Sequence, residues 1–197
     1  MLPAAPAAVS WLEKRENPLN RSNSLPARDS RLKRLADSIE SLAEKDEKAL
    51  RHARHIADLR RSAAAELHAL CAGLTASLNA LLPDPAVVLD PAVFVPEAFH
   101  EDSSNLYQIS IRGRILLIRF EGSPELLSTE DFRIPYTLMG SIRAFKQEWL
   151  DQDLIEEQLL FYTIEEARSM WRFFDARTYR SGILDEDYLI ALLELLL

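Results

Sequence analysis

The sequence has few of the residues that build most catalytic and metal-binding sites. It contains one cysteine, Cys71, together with four histidines and five glycines. A single cysteine excludes a disulfide within the chain and fits a reducing compartment, so we expect a cytoplasmic protein. The glycines, at positions 73, 113, 122, 140 and 182, are too scattered for a phosphate-binding loop.

The histidines also argue against an enzyme. None follows His100, so a catalytic triad in the C-terminal half would have to use that one residue. His52 and His55 have a spacing that suits a metal, but neighbouring arginines would repel a cation and no further ligand lies nearby. We therefore expect no catalytic residues, no metal site and no cofactor.

Long hydrophobic runs and an excess of positive charge are absent too. No stretch of 18 apolar residues exists, and Pro3 and Pro6 break the apolar N-terminus, so we expect neither a membrane span nor a secretory signal. The net charge is -8, made up of +3 over residues 1–82 and -11 over residues 83–197. An acidic C-terminal half repels phosphate backbones, which argues against nucleic-acid binding.

Residues 1–28 are predicted to be a flexible tail, because four prolines interrupt them. The tail contains one apolar cluster around Trp11. This tryptophan is either a short motif that docks on a partner or a side chain that packs back on its own protein.

Residues 29–82 are predicted to form one long helix, capped by Asp29 or Ser30. Apolar residues repeat with a period of 3.5 from Leu32 onward, which is typical of a coiled coil. Such a helix is about 80 Å long. A domain of about 115 residues, roughly 30 Å across, is too small to cover it. We therefore expect a helix of a second copy or of another protein to cover this seam: Leu32, Leu35, Ile39, Leu42, Leu67, Leu70 and Leu74.

The middle of the predicted seam carries charges. Asp46 and Arg60 both occupy position a of the heptad, where charge specifies register and partner. They lie seven residues on either side of residue 53, so an antiparallel pair centred there would bring them together. The sequence leaves parallel and antiparallel pairing open.

Residues 83–104 are predicted to be a proline-rich connector containing two short edge strands, Val87–Leu89 and Val93–Val95. Residues 107–120 are predicted to form a β-hairpin with a turn at Gly113-Arg114, which pairs Ile109 with Ile118. In this register one face is apolar and the other mainly polar.

The rest of residues 105–197 is predicted to complete an acidic α+β domain. Residues 141–164 fit strands or a helix, and their aromatic and β-branched content favours strands. Residues 122–137 and 176–182 are predicted loops, with a strand over 170–175 and a final helix over 186–197 capped by Asp185. The fold class is thus α+β: a long N-terminal coiled-coil helix, a small antiparallel sheet and a C-terminal helix.

The sequence favours a non-enzymatic assembly or adaptor protein. Its helix would form a homodimer or join a partner helix, and its α+β domain would dock another component. The alternative is a domain that binds an anion or phosphorylated ligand through Arg119, Arg143 and Arg172 on the polar sheet face. Against that alternative, these arginines could simply pair with acidic residues of the same domain.

Overall fold

The computed structural model describes residues 24–127, 134–146, 156–165 and 168–197. These residues belong to two compact units that meet in sequence between Arg51 and His52. Helix α1 (Ser24–Leu81) contributes to both units. No helix among the described residues is long and apolar enough to cross a membrane. The remaining elements are β1 (Val87–Asp90), β2 (Asn105–Ile111), β3 (Arg114–Leu127), β4 (Tyr136–Phe145), β5 (Glu156–Glu165), β6 (Arg168–Asp175), β7 (Arg180–Ile183) and α2 (Glu186–Leu196).

The first unit contains the start of α1. This helix begins at Ser24 rather than at residue 29, so Asp29 and Ser30 lie inside it and the predicted cap is wrong. The prediction for Trp11 and most of the tail lies outside the described residues. From residue 27 to Arg51 every side chain is exposed.

The second unit is built on one antiparallel sheet. Its seven strands lie in the order β1-β2-β3-β4-β5-β6-β7, so each strand pairs with its neighbours in sequence. Both edge strands have four residues. Short edges present little unpaired backbone, and the Asn79 side chain also bonds the N–H and the carbonyl of Val87 on the β1 edge.

The hairpin of β2 and β3 is confirmed, but its predicted register is wrong by two residues. Ile109 pairs with Leu116, and the turn is Arg112-Gly113. Both turn residues have positive φ, 48° and 87°, as a type I′ turn requires. A shift of two residues keeps every side chain on its predicted face, so the apolar face of the hairpin is still the buried one.

The other strand predictions have mixed outcomes. Residues 140–145 and 156–164 form strands, as favoured, whereas residues 147–155 lie outside the described residues. Val87–Leu89 is a strand, but Val93–Val95 is not. The predicted loops at 122–137 and 176–182 are partly wrong, because β3 continues to Leu127, β4 begins at Tyr136 and β7 begins at Arg180.

The part of α1 from His52 to Leu81 packs on one face of the sheet. We call this face the inner face and the opposite one the outer face. Leu67 and Leu74 are buried in the core of this unit, and Leu70 packs partly against it. The prediction that these three leucines form a seam for another helix is therefore corrected: the sheet of the same chain covers them. A domain of this size is large enough for that contact, because its sheet covers only the second half of the helix.

Two aromatic side chains attach this part of α1 to the sheet. The Trp171 indole Nε1 donates to the Ala63 carbonyl at 2.8 Å, and the Tyr107 hydroxyl donates to the Ala64 carbonyl at 3.1 Å. Both alanines are fully buried. Their small side chains let the helix backbone come close enough for strand side chains to reach its carbonyls.

Helix α2 covers the rest of the inner face. Asp185 is its N-cap, as predicted, and its carboxylate accepts from the Tyr188 N–H at 2.9 Å. The Tyr188 ring stacks on Phe173 of β6 with the ring centres 3.6 Å apart. Four leucines complete the packing of α2 on the core: Leu189, Leu192, Leu193 and Leu196.

Two glycine-to-alanine variants test this packing in opposite directions. A Cβ at residue 140 would overlap the Arg119 carbonyl and Phe120, whereas a Cβ at Gly73 meets nothing within 4 Å. We expect Gly140→Ala to lower the free energy of unfolding by about 1–3 kcal/mol. We expect Gly73→Ala to raise it by about 0.5–1 kcal/mol, because alanine favours the helix. Urea denaturation measures both, and an unchanged midpoint for Gly140→Ala contradicts the packing described here.

Candidate functional site

An apolar stripe on the first unit remains uncovered among the described residues. Leu32, Leu35, Ile39 and Leu42, four of the predicted seam residues, are 52%, 57%, 58% and 57% exposed. They recur at spacings of three and four, so they share one face of α1. We call these four residues the docking stripe. An exposed row of large apolar side chains is a candidate interaction surface.

Arg60, one of the two charged residues at the centre of the predicted seam, is engaged within the second unit. The Arg60 guanidinium donates through Nε to the carbonyl and the hydroxyl of Thr137, at 3.1 and 2.8 Å, and through Nη2 to the carbonyl of Ser123. Arg60 therefore joins α1 to β3 and β4. The antiparallel pairing of Asp46 with Arg60 of another helix is corrected accordingly.

The three arginines of the alternative prediction lie on the outer face of the sheet, as that prediction requires. Strand pairing places Arg119 opposite Ser141, and Arg143 two residues further along the same strand. Arg172 lies on the same face, because its strand partner Phe161 pairs in turn with Met139, two residues from Ser141. The sheet thus presents all three guanidinium groups to one side.

Acidic residues of the same face already engage two of these arginines. Arg143 Nε lies 2.7 Å from Glu157 Oε1, and Arg172 Nη2 lies 3.0 Å from Glu165 Oε1. Arg119 donates to the Ser104 hydroxyl at 2.6 Å. A shallow depression of about 270 Å³ brings together Arg119 and Arg143 but not Arg172, and Glu121 and Glu157 also line it. An anion would have to compete with these carboxylates.

The sequence did not predict an apolar cavity at one end of the second unit. It has a volume of about 490 Å³ and lies between the end of α1, strand β1, the hairpin turn and α2. Leu81 and Leu197 at its rim are 84% and 71% exposed. Arg112 and Glu194 are the only charged residues in its lining, which also contains Leu78, Leu81, Leu82, Ala86, Val87, Ile111, Ile190, Leu193 and Leu197. The leucine-rich sequence of residues 192–197 is the one sequence feature that could have indicated this cavity.

Cys71 lies away from solvent on the buried side of α1. Burial raises the pKa of its thiol to about 12, so it stays protonated at neutral pH and is a poor nucleophile.

The part of the chain that the structure describes contains no group of three or more histidine, cysteine, aspartate or glutamate residues that could hold a metal ion.

Comparisons with known proteins identify no relative of this chain. No protein-family model matches the chain. A search of curated proteins and a search of solved structures also return no match.

The apolar cavity is expected to bind a hydrophobic dye. Anilinonaphthalene sulfonate fluoresces strongly in apolar sites, so we expect the folded protein to enhance its emission. Ile190→Asp adds a negative charge to the lining, which repels the sulfonate of the dye as well as its apolar rings, and is expected to lower that enhancement, as measured by fluorescence titration. Val88→Asp is the control, since Val88 is exposed and does not line the cavity. Equal dye binding by wild type and Ile190→Asp contradicts the assignment.

Cys71 is expected to be unreactive while the protein is folded. Burial and its raised pKa leave almost no thiolate at neutral pH, so iodoacetamide should modify the native protein far more slowly than the protein in concentrated urea. Mass spectrometry of the modified cysteine measures both rates. Similar rates in the two conditions would show that the thiol is accessible in the folded state.

Proposed function

We propose that the protein is a non-enzymatic adaptor that associates with another helix through the docking stripe. The exposure of Leu32, Leu35, Ile39 and Leu42 is the observation that carries this proposal. An isolated helix segment is marginally stable in water, so an amphipathic segment normally gains its stability by packing its apolar face. A helix laid along the stripe in coiled-coil fashion would supply that packing.

The charge pattern around the stripe supports a helical partner. Lys33, Glu40 and Lys48 lie on the faces away from it, which suits a solvated outer surface of a helix pair. Heptad position e, which flanks the stripe on one side, carries Ala36 and Ala43. Small residues there let a second helix approach closely.

The apolar cavity of the second unit is the proposed docking point for another component. Its rim has one positive and one negative side chain, Arg112 and Glu194. Charges of both signs suit the polar groups of a peptide better than the single charge of a fatty acid or other anionic lipid. The proposed occupant is therefore an apolar segment of a partner protein.

Binding of a phosphorylated or other anionic ligand to the outer sheet face receives less support. Its guanidinium groups share the face with Glu121, Glu157 and Glu165, and two of them form ion pairs with these acids. Nearby carboxylates lower the positive potential that would attract an anion.

A double variant in the docking stripe tests the adaptor function. Leu35→Asp with Leu42→Asp places charges where a partner helix would pack, so we expect the complex containing the protein to become smaller. Size-exclusion chromatography of native extracts, with detection of the protein in each fraction, measures this change. The free energy of unfolding of the second unit should not change, because both leucines are exposed and belong to the first unit.

The matched control is Lys33→Asp with Lys48→Asp, which introduces two carboxylates on the outward faces of the same helix. This control should elute with the wild type. If the stripe variant also elutes with the wild type, the stripe is not the recruiting surface and the proposed function is wrong.

A further inference from the structure

We infer that the helix on the docking stripe is the same segment of a second copy, packed antiparallel and centred on Asp37. The inference rests on the proposed function of the stripe and adds the identity, the direction and the register of its occupant. Three observations carry it: the distribution of charge along the segment, the residues that bound the stripe, and the engagement of Arg60 within its own chain.

The charge of this segment reverses about its centre. Residues 27–36 contain Arg28, Asp29, Arg31, Lys33 and Arg34, a net charge of +3. Residues 38–47 contain Glu40, Glu44, Lys45, Asp46 and Glu47, a net charge of -3. Two antiparallel copies centred on Asp37 would place each basic stretch alongside an acidic one, and Arg28 and Asp46 are the members of these stretches that would meet at the contact.

The same centre also aligns the apolar residues. In an antiparallel pair, position a of one helix packs opposite position d of the other. Centring on Asp37 places Leu32 opposite Leu42, and Leu35 opposite Ile39. Each pair occurs twice because of the two-fold symmetry. The four residues of the stripe therefore form four consecutive apolar layers.

The next layer outward on each side is ionic. Continuing the heptad places Arg28 at position d and Asp46 at position a, so these two residues face each other across the pair. Both side chains are exposed in the single chain. Among the described residues, no ion pair or hydrogen bond involves either of them. Opposite charges at core positions fix direction and register, because a slip of the helices would separate them.

Two other arrangements are disfavoured by the same residues. A parallel pair in register would bring the two copies of Arg28 together and the two copies of Asp46 together, which places like charges at core positions. An antiparallel pair centred near residue 53 would need Arg60, which instead bonds to Thr137 and Ser123 of its own chain. In the antiparallel pair proposed here, Arg31 of one copy and Lys45 of the other lie beside each other at position g. Solvent screens the repulsion between these two exposed side chains.

A charge exchange tests direction and register together. Asp46→Arg would place arginine opposite Arg28 in both ionic layers, and Arg28→Asp would place aspartate opposite Asp46. We expect each single variant to weaken self-association by at least about tenfold, and the double variant to recover to within a few-fold of wild type. Sedimentation equilibrium of the full chain over a range of concentrations measures the dissociation constants.

The controls carry the same charge changes on outward positions. Glu40→Arg and Lys33→Asp lie away from the proposed contact and should change the dissociation constant much less than Asp46→Arg and Arg28→Asp. If the single variants associate like wild type, or the double variant does not recover, the proposed register is wrong.

A distance measurement checks the direction independently. Spin labels on Lys48→Cys would be about 33 Å apart along the axis of the antiparallel pair, at 1.5 Å per residue, but side by side in a parallel pair. Cys71→Ala in the same protein removes the native thiol. A single short distance from double electron–electron resonance would exclude the antiparallel arrangement.

Failure of this inference is distinguishable from failure of the adaptor function. A wild-type chain that stays monomeric, while the Leu35→Asp and Leu42→Asp variant still loses its complex in extracts, overturns the second copy as occupant and leaves the adaptor function standing. If that stripe variant changes neither self-association nor the complex, both proposals are wrong.

Discussion

The contact of Ala63 and Ala64 with the sheet is the constraint on which the second unit depends. Hydrogen bonds from Trp171 and Tyr107 to the carbonyls of these two buried alanines hold α1 against the strands. Larger side chains at either position would push the helix away and leave the indole N–H and the phenol hydroxyl without acceptors. Unpaired buried donors cost about 1–3 kcal/mol each, so this contact also specifies how the helix sits on the sheet.

Because α1 packs on the sheet at these alanines, the residues of the predicted seam fall into a buried group and an exposed group. The leucines at positions 67 and 74 pack on the strands, so they serve folding and are not free to bind another helix. Leu32, Leu35, Ile39 and Leu42 follow the same heptad but stay exposed. A single continuous repeat therefore encodes an intramolecular core in one stretch and a candidate intermolecular surface in the other. The repeat alone does not distinguish them, because apolar spacing is the same for either kind of partner.

Several charged residues likewise have partners within their own chain that their spacing in the sequence does not reveal. Arg60 fits the pattern of a register-setting charge in a coiled coil, yet it bonds to the backbone and side chain of Thr137. Arg143 and Arg172 lie on one face, as alternation along the strands predicts, yet each pairs with a glutamate nearby. Sequence spacing determines the side of an element on which a charge lies, whereas its partner depends on elements distant in the chain.

The sequence by itself determined the type of most elements, the buried face of the hairpin and the capped C-terminal helix, because alternation, heptad spacing and capping are local properties. It also determined the docking stripe as an apolar row. Only the tertiary structure decided the hairpin register, since Arg112 adopts a positive φ that few non-glycine residues favour. It also decided which half of the seam the sheet covers, and it created the apolar cavity from four separate elements. These features depend on contacts between distant residues, and local patterns carry no information about such contacts.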